Sequence, residues 1–247
     1  MDPIHQFTVE PIIEWHPFGI NASFTNASLF MVLVLAAVCV VMLIGTSQRA
    51  LIPGRLQSAA EMSYEFVAST VKMTAGTAGM KFFPLIFTIF MFVLACNLLG
   101  LLPFSFSITS QLVVTFALAI VVILVVLAVG FSRHGLRFLK LFVPSGVSIW
   151  LLPFIVLIEV ISFLIRPVTL SVRLFANMLA GHITLKVMAG FVAALLGAGV
   201  ATWIVAPLPF LANVVLLGFE LFVAVLQAYI FTILTCVYLN DAIHPGH

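Results

Sequence analysis

Charge is almost missing from this sequence. Of its 247 residues only ten are Lys or Arg and eight are Asp or Glu, so charged side chains make up 7%, against about 25% in soluble domains. So few charges cannot cover the surface of a soluble fold of this length. Without a basic face, a nucleic-acid binder is excluded, and the net charge of +2 is too small to indicate any partner. Cysteine is scarce as well. Cys39, Cys96 and Cys236 lie far apart inside apolar runs with no C-x-x-C or zinc spacing. That excludes a disulfide scaffold and a cysteine metal site, and the three read as small buried apolar residues. Cations are absent from residues 1–28, which carry Asp2, Glu10 and Glu14. The positive n-region of a signal peptide is therefore missing.

What the chain has instead is apolar bulk. Hydrophobic residues reach 64%, with 24 Phe, against roughly 45–50% in soluble domains, and the mean hydropathy is +1.31. Such a chain has lipid as its main solvent. Membrane spans need about 20 apolar residues, and three runs qualify: Leu29–Ser47, Phe82–Leu102 with the polar Asn97 near its end, and Leu112–Phe131 with Thr115 and no charge. Asn21 and Asn26 each open an Asn-Ala-Ser sequon, but Asn26 or Ser28 reads better as the cap of the first helix.

The connectors hold the cations. Arg49, Arg55, Lys72 and Lys81 lie between the first two spans, and Arg133, Arg137 and Lys140 follow the third. The N-terminal segment and the loop Pro103–Ser110 have none. The positive-inside rule then puts the N-terminus outside and those connectors in the cytoplasm. Ser58, Glu61, Glu65 and Lys72 share one helical face. Arg133, Arg137 and Lys140 do the same beside Phe138, Leu139, Leu141 and Phe142. Both stretches read as amphipathic helices lying along the interface.

The remaining half is unusual. From Val147 to Leu196 the chain is helical in character, and at about 1.5 Å per residue it would run roughly 75 Å, more than twice the hydrocarbon thickness. Either two spans turn near Arg166-Pro167, or one long helix lies tilted. The polar residues Glu159, Ser162, Arg166, Thr169, Arg173, Asn177 and Thr184 decide, because they form one stripe at helical spacing that runs straight through Pro167. A kinked membrane helix tolerates such a proline, so one long helix is expected. A turn marked by Gly197, Gly199, Pro207 and Pro209 follows. A second long segment, about Phe210 to Leu239, has Asn213, Glu220 and Gln227 at intervals of seven. The two helices can pair as a hairpin. Ala176, Ala180, Gly190, Ala194 and Gly197 would let another helix approach closely, or would serve packing within the chain.

A charge at bilayer depth costs about 2.5–3.5 kcal/mol on insertion scales, so such groups face protein or water and serve function. The candidates are Glu159, Arg166, Arg173, Lys186 and Glu220, with His182. Lys186 and Arg166 are expected to snorkel to an interface. Glu159 can pair with Arg166 two turns away or serve a pathway. Arg173 and Glu220 lie deep in long apolar helices with no opposite charge within four residues. A guanidinium stays ionised at any accessible pH, whereas Glu and His can pass protons on. The set reads as a proton route interrupted by a fixed cation.

The segment Ser171-Val-Arg-Leu-Phe-Ala-Asn-Met-Leu-Ala-Gly-His182 resembles the signature of the subunit a family of F-type ATP synthases, the ATPase A chain family. Leu226-Gln-Ala-Tyr-Ile-Phe-Thr-Ile-Leu-Thr-Cys-Val-Tyr-Leu239 is similar to that family's C-terminal signature, and Asn97-Leu-Leu-Gly-Leu-Leu-Pro103 to its second-span motif. The resemblance implies a proton-translocating stator subunit beside a rotating c-subunit ring, with two half-channels reaching the ring carboxylates. Peripheral-stalk b-type subunits and, indirectly, the F1 sector would be partners, with membrane lipid around them and no nucleic acid. Arg173 matches the family's essential arginine, which separates the half-channels and helps the ring carboxylate release its proton. Glu159, Asn177 and Gln227 match positions on the path. Many bacterial members have Glu nine residues after the arginine and His on the facing helix. Here these are exchanged as His182 and Glu220, as in mitochondrial and some alphaproteobacterial relatives.

The expectation is therefore an all-α integral membrane protein with about three upright transmembrane helices, amphipathic interfacial helices and a C-terminal hairpin of two long tilted membrane helices. It forms a single membrane domain over 1–247: an outer-side segment 1–28, spans and interfacial helices over 29–142, and the hairpin over 147–240. It is not an enzyme by itself and needs no cofactor or metal. Protons are favoured over sodium, because no cluster of ion-ligating oxygens is evident. The bacterial inner membrane is favoured over a mitochondrial one, because no transit-like stretch occurs. A stand-alone secondary transporter is the alternative, and the lack of repeated halves weighs against it.

Overall fold

A computed structural model of the chain describes residues 8–14, 23–47, 53–102, 105–143 and 150–244. Asp2, Asn21, Arg49, Pro103 and Val147, which figured in the sequence reading, lie outside the described residues. Apart from a short antiparallel pair, β1 (Pro11–Ile13) and β2 (Phe24–Thr25), the elements are helical. They are α1 (Asn26–Ser47), α2 (Arg55–Gly79), α3 (Phe83–Gly100), α4 (Leu112–His134), α5 (Leu152–Gly197) and α6 (Pro207–Ile243). Five helical stretches are long and apolar enough to cross a membrane. The protein is an all-α multi-pass membrane protein.

The three apolar runs fall on α1, α3 and α4. The cap of α1 departs from expectation. The Thr25 hydroxyl accepts the Ser28 N–H at 3.4 Å, so Thr25 takes the capping position. Asn26 is used differently. Its amide donates to the Thr8 carbonyl at 3.0 Å, and its own N–H reaches the Glu10 carbonyl at 3.1 Å. Cys39 also departs from expectation, because it is exposed, while Cys96 and Cys236 are buried. On a helix with lipid as solvent, an outward thiol costs no more than an inward one.

Helix α2 is amphipathic as its spacing predicts. Ala60, Val67, Val71 and Ala75 form its buried stripe, and Glu61, Glu65 and Lys72 are exposed. It breaks at Gly76, where φ is 63°. The second amphipathic stretch is not one α-helix. α4 ends at His134, Gly135 turns the chain at φ 53°, and Gly135–Phe142 continues as a 3-10 helix. Only glycine takes that left-handed turn at little cost. Arg133 therefore lies in the last turn of α4 and stands over the Phe82 ring, while Phe138 turns fully inward against Phe131.

α5 is one helix of 46 residues with Pro167 inside it. The phase of the polar stripe was thus a sound guide, and no turn interrupts it at Arg166-Pro167. α6 is longer than its apolar run suggested, starting on Pro207 and ending at Ile243. Pro207 suits the first helical position, where its missing N–H costs nothing. Between them Thr202 and the Trp203 indole donate to the Leu195 and Leu196 carbonyls, which the helix end leaves unpaired.

The contacts gather into two compact units. One holds the chain up to Cys39, with Phe92–Gln111 and Leu174–Ala228. The other holds Val40–Met91, Leu112–Arg173 and Tyr229 onward.

Candidate functional site

In the first unit, α5 turns a stripe of Leu174, Met178 and His182 inward. The spacing of four keeps these side chains on one face. Arg173 precedes His182 by nine residues. At about 100° per residue that is half a turn, so the two project from opposite faces of α5. Their burial agrees, since His182 is buried and Arg173 exposed. α6 presents Glu220, Ala224, Gln227 and Ala228 inward, the face that the seven-residue spacing marked.

His182 and Glu220 meet across the two helices, with Nδ1 3.5 Å from Oε1. They come this close because Gly181 has no side chain. A Cβ there would stand 2.7 Å from the Glu220 carboxyl carbon. Lys186, half-buried one turn further along α5, acts electrostatically on the His182 ring. A pocket of about 350 Å³ opens beside the pair and is lined by Asn177, Thr184, Glu220 and Gln227. Four of the six proposed site residues, His182, Glu220, Asn177 and Gln227, are thus in one place.

Two helix faces matter beyond the pair. Asn97, fully buried on α3, donates to the Ala224 carbonyl of α6 at 3.1 Å. The outward face of α5 carries Arg173, Ala176, Asn177, Ala180 and Thr184, all exposed. Gly190, Ala194 and Gly197 are exposed too, so the small residues are not spent on the chain's own core. Among the described residues no carboxylate pairs with Arg173.

Glu159 is held elsewhere, in the second unit. There Arg166 reaches Asp241 of α6 at 3.1 Å and Glu159 at 3.9 Å. Its guanidinium also stands over the Phe163 and Tyr238 rings. Arg166 therefore does not snorkel away, which corrects the sequence expectation. A paired, ring-stacked guanidinium is better solvated by these groups than by an extended side chain in lipid. Tyr238 is also within electrostatic reach of Arg173.

Sequence reasoning missed Asp241 and the partners of Asn97. Asp241 lies beyond the apolar run, and only the antiparallel return of α6 gives it a cation. It also passed over Ser107 and Thr109 of the α3–α4 connector, which are 2% and 3% exposed. Several buried oxygens in the first unit find no hydrogen-bond partner among the described residues, including Asn97 Oδ1, Ser107 Oγ, Thr109 Oγ1 and Glu220 Oε2. A buried oxygen without a partner costs roughly 1–3 kcal/mol, and water is the usual remedy. Among the described residues no group of His, Cys, Asp and Glu side chains is placed to hold a metal.

These features define a class: a multi-pass helical membrane protein with a buried acid–imidazole pair and an exposed arginine that no carboxylate among the described residues pairs with. The sequence profile described as "ATP synthase A chain" matches residues 28–240. A protein of Beijerinckia indica named ATP synthase subunit a is 60% identical over 247 residues, covering 100% of this chain and 98% of the relative. Proteins of the same name from a Chelativorans strain and from Allorhizobium ampelinum are 61% and 62% identical, covering 100% and 99% of this chain and 99% and 98% of the relatives. The chain belongs to the ATP synthase A chain family.

Proposed function

We propose that this chain is the proton-translocating stator subunit of an F-type ATP synthase, a membrane subunit of the complex and not an enzyme on its own. In this reading Arg173 faces a carboxylate of a c-subunit ring, and two half-channels bring protons to and from that carboxylate. His182 and Glu220 receive protons on one side, with Asn177 and Gln227 leading to the outward face of α5. Glu159 belongs to the path on the other side. Peripheral-stalk b-type subunits hold the chain still, and the F1 sector is reached through them. The bacterial inner membrane is the location, with the N-terminus outside, and the whole chain acts as one membrane domain.

The observation that carries the reading is Arg173 itself. It stands exposed near the middle of a 46-residue apolar helix, and among the described residues no carboxylate pairs with it. A charge so placed is costly unless another chain supplies a counter-charge. The small residues beside it let that chain come close. As a gate, the guanidinium repels a passing proton and attracts a ring carboxylate that has lost one.

The test is proton-driven ATP synthesis in membrane vesicles carrying Arg173→Ala or Arg173→Lys. Both should abolish synthesis, because Lys cannot reproduce a fork that never deprotonates. Near-normal synthesis in both removes the gate. A small ring-forming hydrophobic subunit should copurify with the chain, and its absence would favour a solitary transporter.

A further inference from the structure

Thr46, Thr88, Thr169 and Thr184 each donate their hydroxyl to a carbonyl of their own helix, the usual resort of Ser and Thr inside a helix. Ser171 of α5 behaves differently. It is fully buried, and its one hydrogen-bond partner among the described residues is the Thr115 hydroxyl of α4, at 3.1 Å. Thr115 donates its own proton to the Leu112 carbonyl at 3.1 Å, and a hydroxyl has one proton to give. Ser171 is therefore the donor in the pair.

Two features of α5 connect this bond to Arg173. The first is Pro167, which lies inside the helix. Having no N–H, it leaves the Phe163 carbonyl without its helical donor, so the rod is weakened there. Just before the proline, Arg166 ties α5 to Asp241 of α6. After it, Ser171 is the first side chain seen to bond to another helix, since Thr169 bonds back to Arg166. The second feature is phase. At about 100° per residue, Ser171 and Arg173 project about 200° apart around α5. With Ser171 turned to α4, Arg173 points to the far side, where it is exposed. Leu170 is buried beside Ser171, and Thr115 heads the buried stripe of Ala119, Val122 and Val126 on α4. Apolar packing has no preferred direction and tolerates a small roll of α5, whereas a hydrogen bond weakens steeply with angle.

We propose that the Ser171–Thr115 bond positions Arg173, fixing the roll of α5 beyond Pro167 so that the guanidinium keeps one direction. This rests on the gate reading of Arg173 above. Both hydroxyls act through the arginine and carry no proton themselves. When the bond is lost, the guanidinium is no longer held in line with the carboxylate it faces, and protons pass without driving synthesis.

The experiment uses the assembled ATP synthase in inverted vesicles. Proton-driven ATP synthesis is measured beside passive proton conduction after the catalytic sector is stripped. Ser171→Ala and Thr115→Val each remove one hydroxyl with little change of shape, and each should lower the ratio of synthesis to conduction several-fold. A purely structural role would reduce the amount of complex, and with it both rates in proportion, leaving the ratio unchanged. Thr115→Ser retains the hydroxyl and should keep most of the ratio. The double variant Ser171→Ala with Thr115→Val should be no worse than either single one, because the same bond is lost in all three. A ratio equal to the parent's in both single variants, or losses that add in the double variant, overturns the proposal. If Ser171→Ala fails to assemble, Thr115→Val against Thr115→Ser decides. Arg173→Ala, run alongside, separates the two levels. If it abolishes synthesis while the Ser171 and Thr115 variants keep the parent's ratio, the positioning role fails and the gate reading stands. If Arg173→Ala synthesises ATP normally, the gate reading itself fails.

Discussion

His182 of α5 and Glu220 of α6 form a buried pair, Nδ1 to Oε1 at 3.5 Å, on the face of α5 opposite to Arg173. On the proposed function, a proton held by this pair travels around α5 to reach a group facing Arg173. The pocket lined by Asn177, Glu220 and Gln227 lies beside the pair, and on the proposed function it is the passage. Replacing Glu220 by alanine should lower proton conduction by at least tenfold, about 1.4 kcal/mol in barrier. Exchanging the two residues, His182→Glu with Glu220→His, should keep part of the conduction, because an acid–imidazole pair remains. Conduction assays on vesicles stripped of the catalytic sector check both, and full activity in Glu220→Ala would remove it from the route.

Gly181 sets the distance within that pair. A methyl group there would crowd the Glu220 carboxyl, which sits at the end of a flexible side chain and can swing aside. Gly181→Ala should therefore cost little stability, about 1 kcal/mol or less, yet reduce conduction clearly. Thermal unfolding of the solubilised complex and conduction measured together check this. A loss of stability without a loss of conduction would contradict it.

Arg166 binds the end of α6 through Asp241 at 3.1 Å and holds Glu159 only at 3.9 Å. Both pairs are part-exposed, so screening keeps them modest. Asp241→Ala should lower stability by about 1 kcal/mol and Glu159→Gln by less than about 0.5 kcal/mol. Arg166→Ala should cost more than either, because the contacts with the Phe163 and Tyr238 rings go as well. Melting temperatures of the purified complex give the order, and Glu159→Gln as the most harmful of the three would refute it.

Asn97 joins α3 to α6 through its bond to the Ala224 carbonyl. Single interhelical hydrogen bonds in membranes average about 0.6 kcal/mol and reach about 1.7 kcal/mol. Asn97→Ala should fall near the upper end, since it also removes a fully buried side chain. Asn97→Leu should fill the space but not restore the bond. Stability at or above that of the parent in Asn97→Leu would show that the bond contributes nothing.

Much of this architecture could be read along the chain. Scarce charge and long apolar runs demanded lipid, and the helices α1, α3 and α4 followed from the length of those runs. The stripe from Glu159 to Thr184 kept its phase through Pro167, because helical period depends only on residue spacing, and the helix there is continuous. The spacing of Asn213, Glu220 and Gln227 likewise marked the inward face of α6. The local choices were less legible. Thr25 and not Asn26 caps α1, because Thr8 and Glu10, ahead of β1, give Asn26 other partners. Gly135 cuts the second amphipathic stretch, because a left-handed turn ends an α-helix whatever the charges around it.

The chain by itself determined which residues are too costly to bury without purpose, since that depends on their chemistry and on the apolar runs around them. Only the tertiary structure decided how each is used. It paired His182 with Glu220, gave Arg166 to Asp241, buried Ser107, and left Arg173 exposed with no carboxylate partner among the described residues. Each of these depends on which helix faces are brought together, and contacts between distant segments leave no periodic trace in a sequence.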